Sequence, residues 1–153
     1  MADFLTKKER SGRMSLVKGR GNRSTELHFA RALFELGIHG WRRGARLPGS
    51  PDFTFVHERI VVFVDGCFWH GCPQHYTKPQ TNAGFWATKR RDNIARDRRV
   101  DSELRRRGWR VMRIWEHELR STQLPLLKKR LRRRFAHTIH SDSRRNPQAP
   151  RGP

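Results

Sequence analysis

The residues most able to do chemistry lie between positions 65 and 75, in the run Asp-Gly-Cys-Phe-Trp-His-Gly-Cys-Pro-Gln-His. Cys67, Cys72 and His75 offer three soft donors in a C-x4-C-x2-H pattern. Tetrahedral zinc takes four nitrogen or sulfur ligands, and His117 is the natural fourth donor. A closed site of this kind leaves no position for substrate, so the zinc would be structural. The competing reading is two buried free cysteines and two surface histidines. His70 lies in the same loop out of phase with these ligands. It is either a further zinc ligand or an imidazole held towards substrate, where it can take a proton from an attacking water.

Carboxylates are the second signal, because the chain has few of them. With 34 Lys and Arg against 14 Asp and Glu, the formal charge is +20 over 153 residues. Asp52 and Asp65 are spaced to fall on one face of a hairpin turning at His57-Glu58. Asp52 then opposes Phe63, and Asp65 is its diagonal neighbour at roughly 7–8 Å between Cα atoms. A hard, oxygen-seeking cation such as Mg²⁺ suits two such carboxylates. Equally, Asp52 can cap a turn and Asp65 can end a strand. Glu26 in a first helical turn is explained by the helix dipole, and Asp97 among arginines reads as an ion-pair partner. The adjacent Phe68 and Trp69, with Trp86 beyond them, can stack on bases or pack over the loop.

The charge favours a polyanionic partner, and nucleic acid before membrane. The longest apolar run, residues 60–64, is far too short to span a bilayer, and no signal peptide stands out at the start. A cytoplasmic setting follows, in which paired cysteines bind metal more readily than they form a disulfide. Residues 1–23 read as a flexible basic arm, 24–137 as the folded domain and 138–153 as a disordered basic tail.

Within the folded part, Ser24 or Thr25 is placed to cap a helix with Leu27, Ala30, Leu33 and Phe34 on its buried face, ended by Gly37. A weak strand signal surrounds Trp41. Residues 47–51 are turn chemistry, and 52–56 with 59–65 form the hairpin. A long helix over 85–107 closes at Gly108, a strand follows over 109–115, and a basic helix runs over 124–135. Strand, helix, strand is a crossover unit, which predicts that the strands 59–65 and 109–115 lie parallel. The fold class is α/β: a mixed sheet flanked by helices.

Taken in order, Leu47-Pro48-Gly-Ser-Pro51-Asp52-Phe53, Val64-Asp65-Gly-Cys67-Phe68-Trp69-His70, Asn93-x3-Asp97-Arg98-Arg99, Gly108-Trp109-Arg110-Val111 and Trp115-Glu116 resemble the very-short-patch-repair (Vsr) mismatch endonucleases. The resemblance runs from about residue 10 to residue 120. It implies a restriction-endonuclease-like fold with a structural zinc loop. It also implies Mg²⁺-dependent nicking 5′ of the mispaired thymine in T:G mismatches left by 5-methylcytosine deamination. Asp52 and the backbone carbonyl of Val64 would hold Mg²⁺, His70 would be the general base oriented by Asp97, and Glu26 would support the metal's water shell. Phe68, Trp69 and Trp86 would match the intercalating aromatics, and Cys67, Cys72, His75 and His117 the zinc site. A monomer acting on nucleoid DNA, in contact with mismatch-repair proteins, completes the implied picture. The chain departs from the pattern at Asp65, where the best-known member has histidine; at His117, which replaces a cysteine; and in the order of its zinc ligands. The position two after Asp65, where related nucleases carry lysine, holds Cys67. Two alternatives stand beside the nicking enzyme: a nuclease of the same fold cutting undamaged DNA, and a zinc-stapled DNA-binding protein without catalysis.

Overall fold

A computed structural model describes residues 23–137. The arm read over 1–23 and the tail over 138–153 lie outside the described residues, except that Arg23 is already helical. The elements are α1 (Arg23–Glu35), β1 (Trp41–Arg42), β2 (Phe53–Phe55), β3 (Ile60–Asp65), α2 (Ala83–Arg106), β4 (Arg110–Trp115), a short 3₁₀ helix (Glu116–Leu119) and α3 (Leu124–Arg134). Ser24 and Thr25 therefore lie inside α1 instead of capping it.

The sheet order is β1-β2-β3-β4. The first two pairings are antiparallel and β3–β4 is parallel, as the crossover through α2 requires. Strand β3 is β-branched and buried almost throughout, the pattern of a central strand covered on both faces. Its hairpin partner keeps the predicted register: Phe53 faces Val62 and Phe55 faces Ile60. The strands end sooner than the sequence suggests, so residues 56–59 form the loop, with Arg59 at φ 55°. The guanidinium of Arg59 lies 4.6 Å over the Trp109 ring and donates to the Arg107 carbonyl at 2.6 Å, which pins the loop against the end of α2.

One face of the sheet carries the main core. Phe29 and Leu33 of α1, Leu36 just beyond it, and Leu127 and Leu131 of α3 pack on Ile60, Val62, Met112 and Ile114. This bears out Ala30 and Leu33 of the predicted face of α1 and corrects Leu27 and Phe34. Leu27 is 61% and Phe34 74% exposed, while Phe29 and Leu33 are fully buried. Leu27/Phe34 and Phe29/Leu36 are both apolar pairs seven residues apart, so spacing alone cannot choose between them; tertiary packing does.

The opposite face packs Val61 and Phe63 against Leu104 and Val100 of α2. That helix, about 36 Å long at 1.5 Å per residue, buries only Asn93 and Leu104 outright. It ends in a Schellman motif. Gly108 takes φ 79°, its N–H donates to the Arg105 carbonyl, and the Trp109 N–H donates to that of Leu104. A turn over residues 47–51 presses on the same face. A Cβ on Gly49 would sit 2.5 Å from a Val100 methyl, so only glycine lets this turn deliver Asp52 to the sheet. None of the described helices is long and apolar enough to cross a membrane.

Candidate active site

Chain direction brings the ends of β3 and β4 side by side, with Asp65 in register with Trp115. The loop leaving β3 folds back through bonds from the His70 N–H to the Gly66 carbonyl and from the Cys72 N–H to the Cys67 carbonyl. The 3₁₀ helix leaving β4 supplies His117. The ligating atoms of Cys67, Cys72, His75 and His117 all lie within 4.8 Å of one another. The His117 Nδ1 stands 3.3 Å from the Cys67 sulfur and 3.5 Å from that of Cys72, and His75 Nδ1 is 3.8 Å from Cys72. Among protein groups alone, burial pushes the Cys67 thiol up to about 11. Burial also holds His117 below its ordinary value, with the neighbouring His75 adding to the effect, and so keeps it the neutral imidazole that a metal requires. Two thiols and two imidazoles converging in this way fit a tetrahedral soft-metal site.

His70 is not part of that cluster. Its Nδ1 is 2.6 Å from Asp97 Oδ2 and 3.7 Å from Asp65 Oδ1. Burial pushes the Asp97 carboxyl up, but the His70 hydrogen bond and the charges of His70, Arg113 and Arg96 outweigh it and hold the group below its usual range. An ionised Asp97 can only accept, so Nδ1 donates to it and Nε2 is the ring nitrogen turned away from that bond. Asn93, one turn before Asp97 on α2, donates to the Trp69 carbonyl at 3.0 Å and ties the loop to the helix.

Asp52 stands between the turn and β3, where its Oδ2 accepts the Val64 N–H at 2.7 Å. Its Oδ1 takes no hydrogen bond among the described residues. Burial first, and the charge of Asp65 next among the raising influences, lift its carboxyl above the ordinary range. Such a carboxylate gains from a bound cation. Mg²⁺ is commonly held by one or two carboxylates, with waters and phosphate oxygens completing its shell, and the donor set here is of that kind.

Asp65 is differently placed. Arg113 on β4 donates to both its oxygens, at 2.9 and 2.8 Å, and to Asp101 at 2.8 Å. The same guanidinium approaches Asp97 at 3.6 Å and lies 4.6 Å over the Phe63 ring. Burial raises the Asp65 carboxyl, while His70 and Arg113 oppose the rise. Glu26 is buried on α1 in contact with Arg43, and the charge of Arg43 in turn reaches Asp52. Sequence reasoning missed Arg113, Asp101 and Arg43. Arg113 is one of two arginines of β4, and it shares its side of the sheet with Phe63 and Asp65.

The three singled-out aromatics also meet. Ring centroids are 5.3 Å apart for Phe68–Trp69, 5.4 Å for Phe68–Trp86 and 5.9 Å for Trp69–Trp86. Tyr76, not anticipated, stacks on Phe68 at 6.1 Å. Phe85 stays 63% exposed beside Trp86.

Residues 2–76 match the family model described as DNA mismatch endonuclease Vsr. The chain is 39% identical over 124 residues to the DNA mismatch endonuclease Vsr of Escherichia coli (strain K12), covering 80% of this chain and 79% of that protein. It is 35% identical over 133 residues to the type II nicking enzyme V.XorIIP of Xanthomonas oryzae pv. oryzae, covering 86% and 96%. Against the type II nicking enzyme V.NaeI of Lentzea aerocolonigenes it is 46% identical over 92 residues, 57% of this chain and only 55% of that relative. The sheet, the acid–imidazole site and these likenesses together define a DNA endonuclease. More narrowly, the chain belongs to the Vsr family of DNA mismatch endonucleases.

Proposed function

We propose that the protein nicks one strand of duplex DNA 5′ of the thymine in a T:G mismatch, on a restriction-endonuclease-like fold, acting as a monomer. The observation that carries this reading is the 2.6 Å bond from His70 to Asp97 beside a carboxylate, Asp52, with an uncommitted oxygen. In this reading His70 Nε2 takes the proton of the attacking water, and Asp97 fixes the ring's tautomer and angle. Asp52 and the Val64 carbonyl hold the cation. When bound, Mg²⁺ supplies Lewis-acid stabilisation of charge on the phosphate and the leaving 3′ oxygen. Glu26 reaches this shell through Arg43. The two hydrogen bonds that Arg113 donates to Asp65 favour a helper near the phosphate over a metal ligand. Cys67, Cys72, His75 and His117 hold a structural zinc that fixes the loop carrying His70. Phe68, Trp69 and Trp86 form the wedge that enters the weakened T:G step, where separating bases costs least.

The decisive assay uses end-labelled duplexes carrying each mismatch, or none, with and without Mg²⁺. One nick, confined to the thymine strand of T:G and dependent on Mg²⁺, is the expected result. Equal cutting of fully paired DNA would favour the undamaged-DNA nuclease. Binding with no cleavage under any condition would leave only the zinc-stapled binder.

A further inference from the structure

Beyond the aromatic cluster, a groove of about 480 Å³ runs along the solvent side of α2. Ala87 and Ala95 leave it room, and Tyr76, Lys78, Arg90, Arg91 and Arg98 line it. Among the described residues, Lys78, Arg90 and Arg98 form no ion pair with a carboxylate, and Arg91 has only an exposed contact of 3.6 Å with its neighbour Asp92. The Arg90 guanidinium lies 4.3 Å over the Tyr76 ring, and Tyr76 itself stacks on Phe68. The groove is thus continuous with the aromatic rings. These cations differ from those facing the active site, where Arg113 is committed to Asp65 and Asp101.

We infer that this groove binds the phosphodiester backbone of one strand of the duplex, flanking the step at which the aromatic rings act. Three things support that occupant. The groove presents four cations and no carboxylate, which suits a polyanion and no neutral or basic ligand. Arg91 and Arg98 are two helical turns apart, about 10 Å along the axis, a length of about three phosphate spacings at about 3.4 Å of rise each. The aromatic end of the groove, with Tyr76 as the shared residue, fixes where the strand enters. The inference rests on the preceding reading only in taking duplex DNA as the ligand. It assigns Lys78, Arg90, Arg91 and Arg98 to sequence-independent contact, which positions the duplex without reading its bases. The basic helix α3, packed on the other face of the sheet, has no part in it.

The test is the salt dependence of binding. Fluorescence anisotropy with a labelled duplex, matched or carrying T:G, gives log K against log salt between about 50 and 200 mM. In R91Q/R98Q, whose glutamines retain helix propensity, the slope should become less steep by about 1.8, equally for both duplexes. Should that double variant not fold by circular dichroism, R98Q alone should lower the slope by about 0.9. The α3 variant R132Q/R133Q should keep the wild-type slope. A wild-type slope in the α2 variants, or an equal change in the α3 variant, overturns the inference. A wild-type enzyme that never nicks while the slopes shift as stated would overturn the preceding reading and leave the groove assigned.

Discussion

Two clusters lie within a few residues of each other, and they treat their lone pairs in opposite ways. In the cysteine–histidine cluster, four donor atoms converge on one another within 4.8 Å. In the acid–imidazole cluster, most of the carboxylates already have partners: Asp65 and Asp101 pair with Arg113, and Asp97 bonds to His70. Among the described residues two groups stay uncommitted there, the second oxygen of Asp52 and Nε2 of His70. In the proposed reading, reactivity is confined to this small remainder, which the surrounding ion pairs and the neighbouring cluster keep in place.

The contrast can be broken most severely at the closed cluster. Cys72→Ser, or treatment with a zinc-selective chelator, should lower the melting temperature and abolish nicking together, because the same loop carries His70. Metal analysis and differential scanning calorimetry check this, and a variant that melts like wild type would show the loop to be held by other means. Next in size, His70→Ala and Asp52→Asn should each slow single-turnover nicking by about 10²–10⁴-fold. Here, unlike the first case, the fold should survive, with duplex affinity nearly unchanged. Arg113→Met comes third. It leaves the buried Asp65 without its cation, and urea titration should report a loss of about 3–5 kcal/mol. Asp65→Asn added to that variant should recover part of the loss.

The smallest effects are those of pH, and the two kinds of carboxylate differ in sign. Asp97 is held below its ordinary value, so its ionised form contributes stability above the unfolded pKa, and that contribution fades as pH falls through the lowered folded one. Asp52 is held above its ordinary value. Its ionisation costs stability near neutrality, and the cost is relieved as pH falls through the raised folded pKa. Asp52→Asn should thus raise the melting temperature at pH 7 and lose that advantage in mild acid, whereas Asp97→Asn should lower it. Melting curves across this range would refute the assignment if both variants moved the same way.

Much of the scaffold was legible because it depends on local rules. The period-two pattern of β2 and β3 set the hairpin register, Gly108 marked the end of α2, and the crossover rule put β3 parallel to β4. The buried side of α1 was not legible, since two apolar stripes compete there and only packing against the sheet chooses Phe29 over Leu27. The four soft donors were visible from residue type and spacing. The pairing of Asp97 with His70 was not visible from the residues themselves and came only from the resemblance. Yet Asn93, Asp97, Asp101 and Leu104 repeat at helical spacing, and that stripe is the one α2 turns inward. Arg113 was hidden by abundance: in a chain this rich in arginine, one more carries little information until its two aspartates are seen.

His117 stands fifty positions beyond Cys67 in the chain. A metal bound by both would close a large ring of polypeptide, removing open conformations that the unfolded chain otherwise enjoys. Only two of the four donors, Cys72 and His75, sit as close as one helical turn in sequence. High-affinity capture must consequently wait until the crossover has docked, so metal uptake during refolding should follow assembly of the parallel strand pair and lock it, without nucleating it.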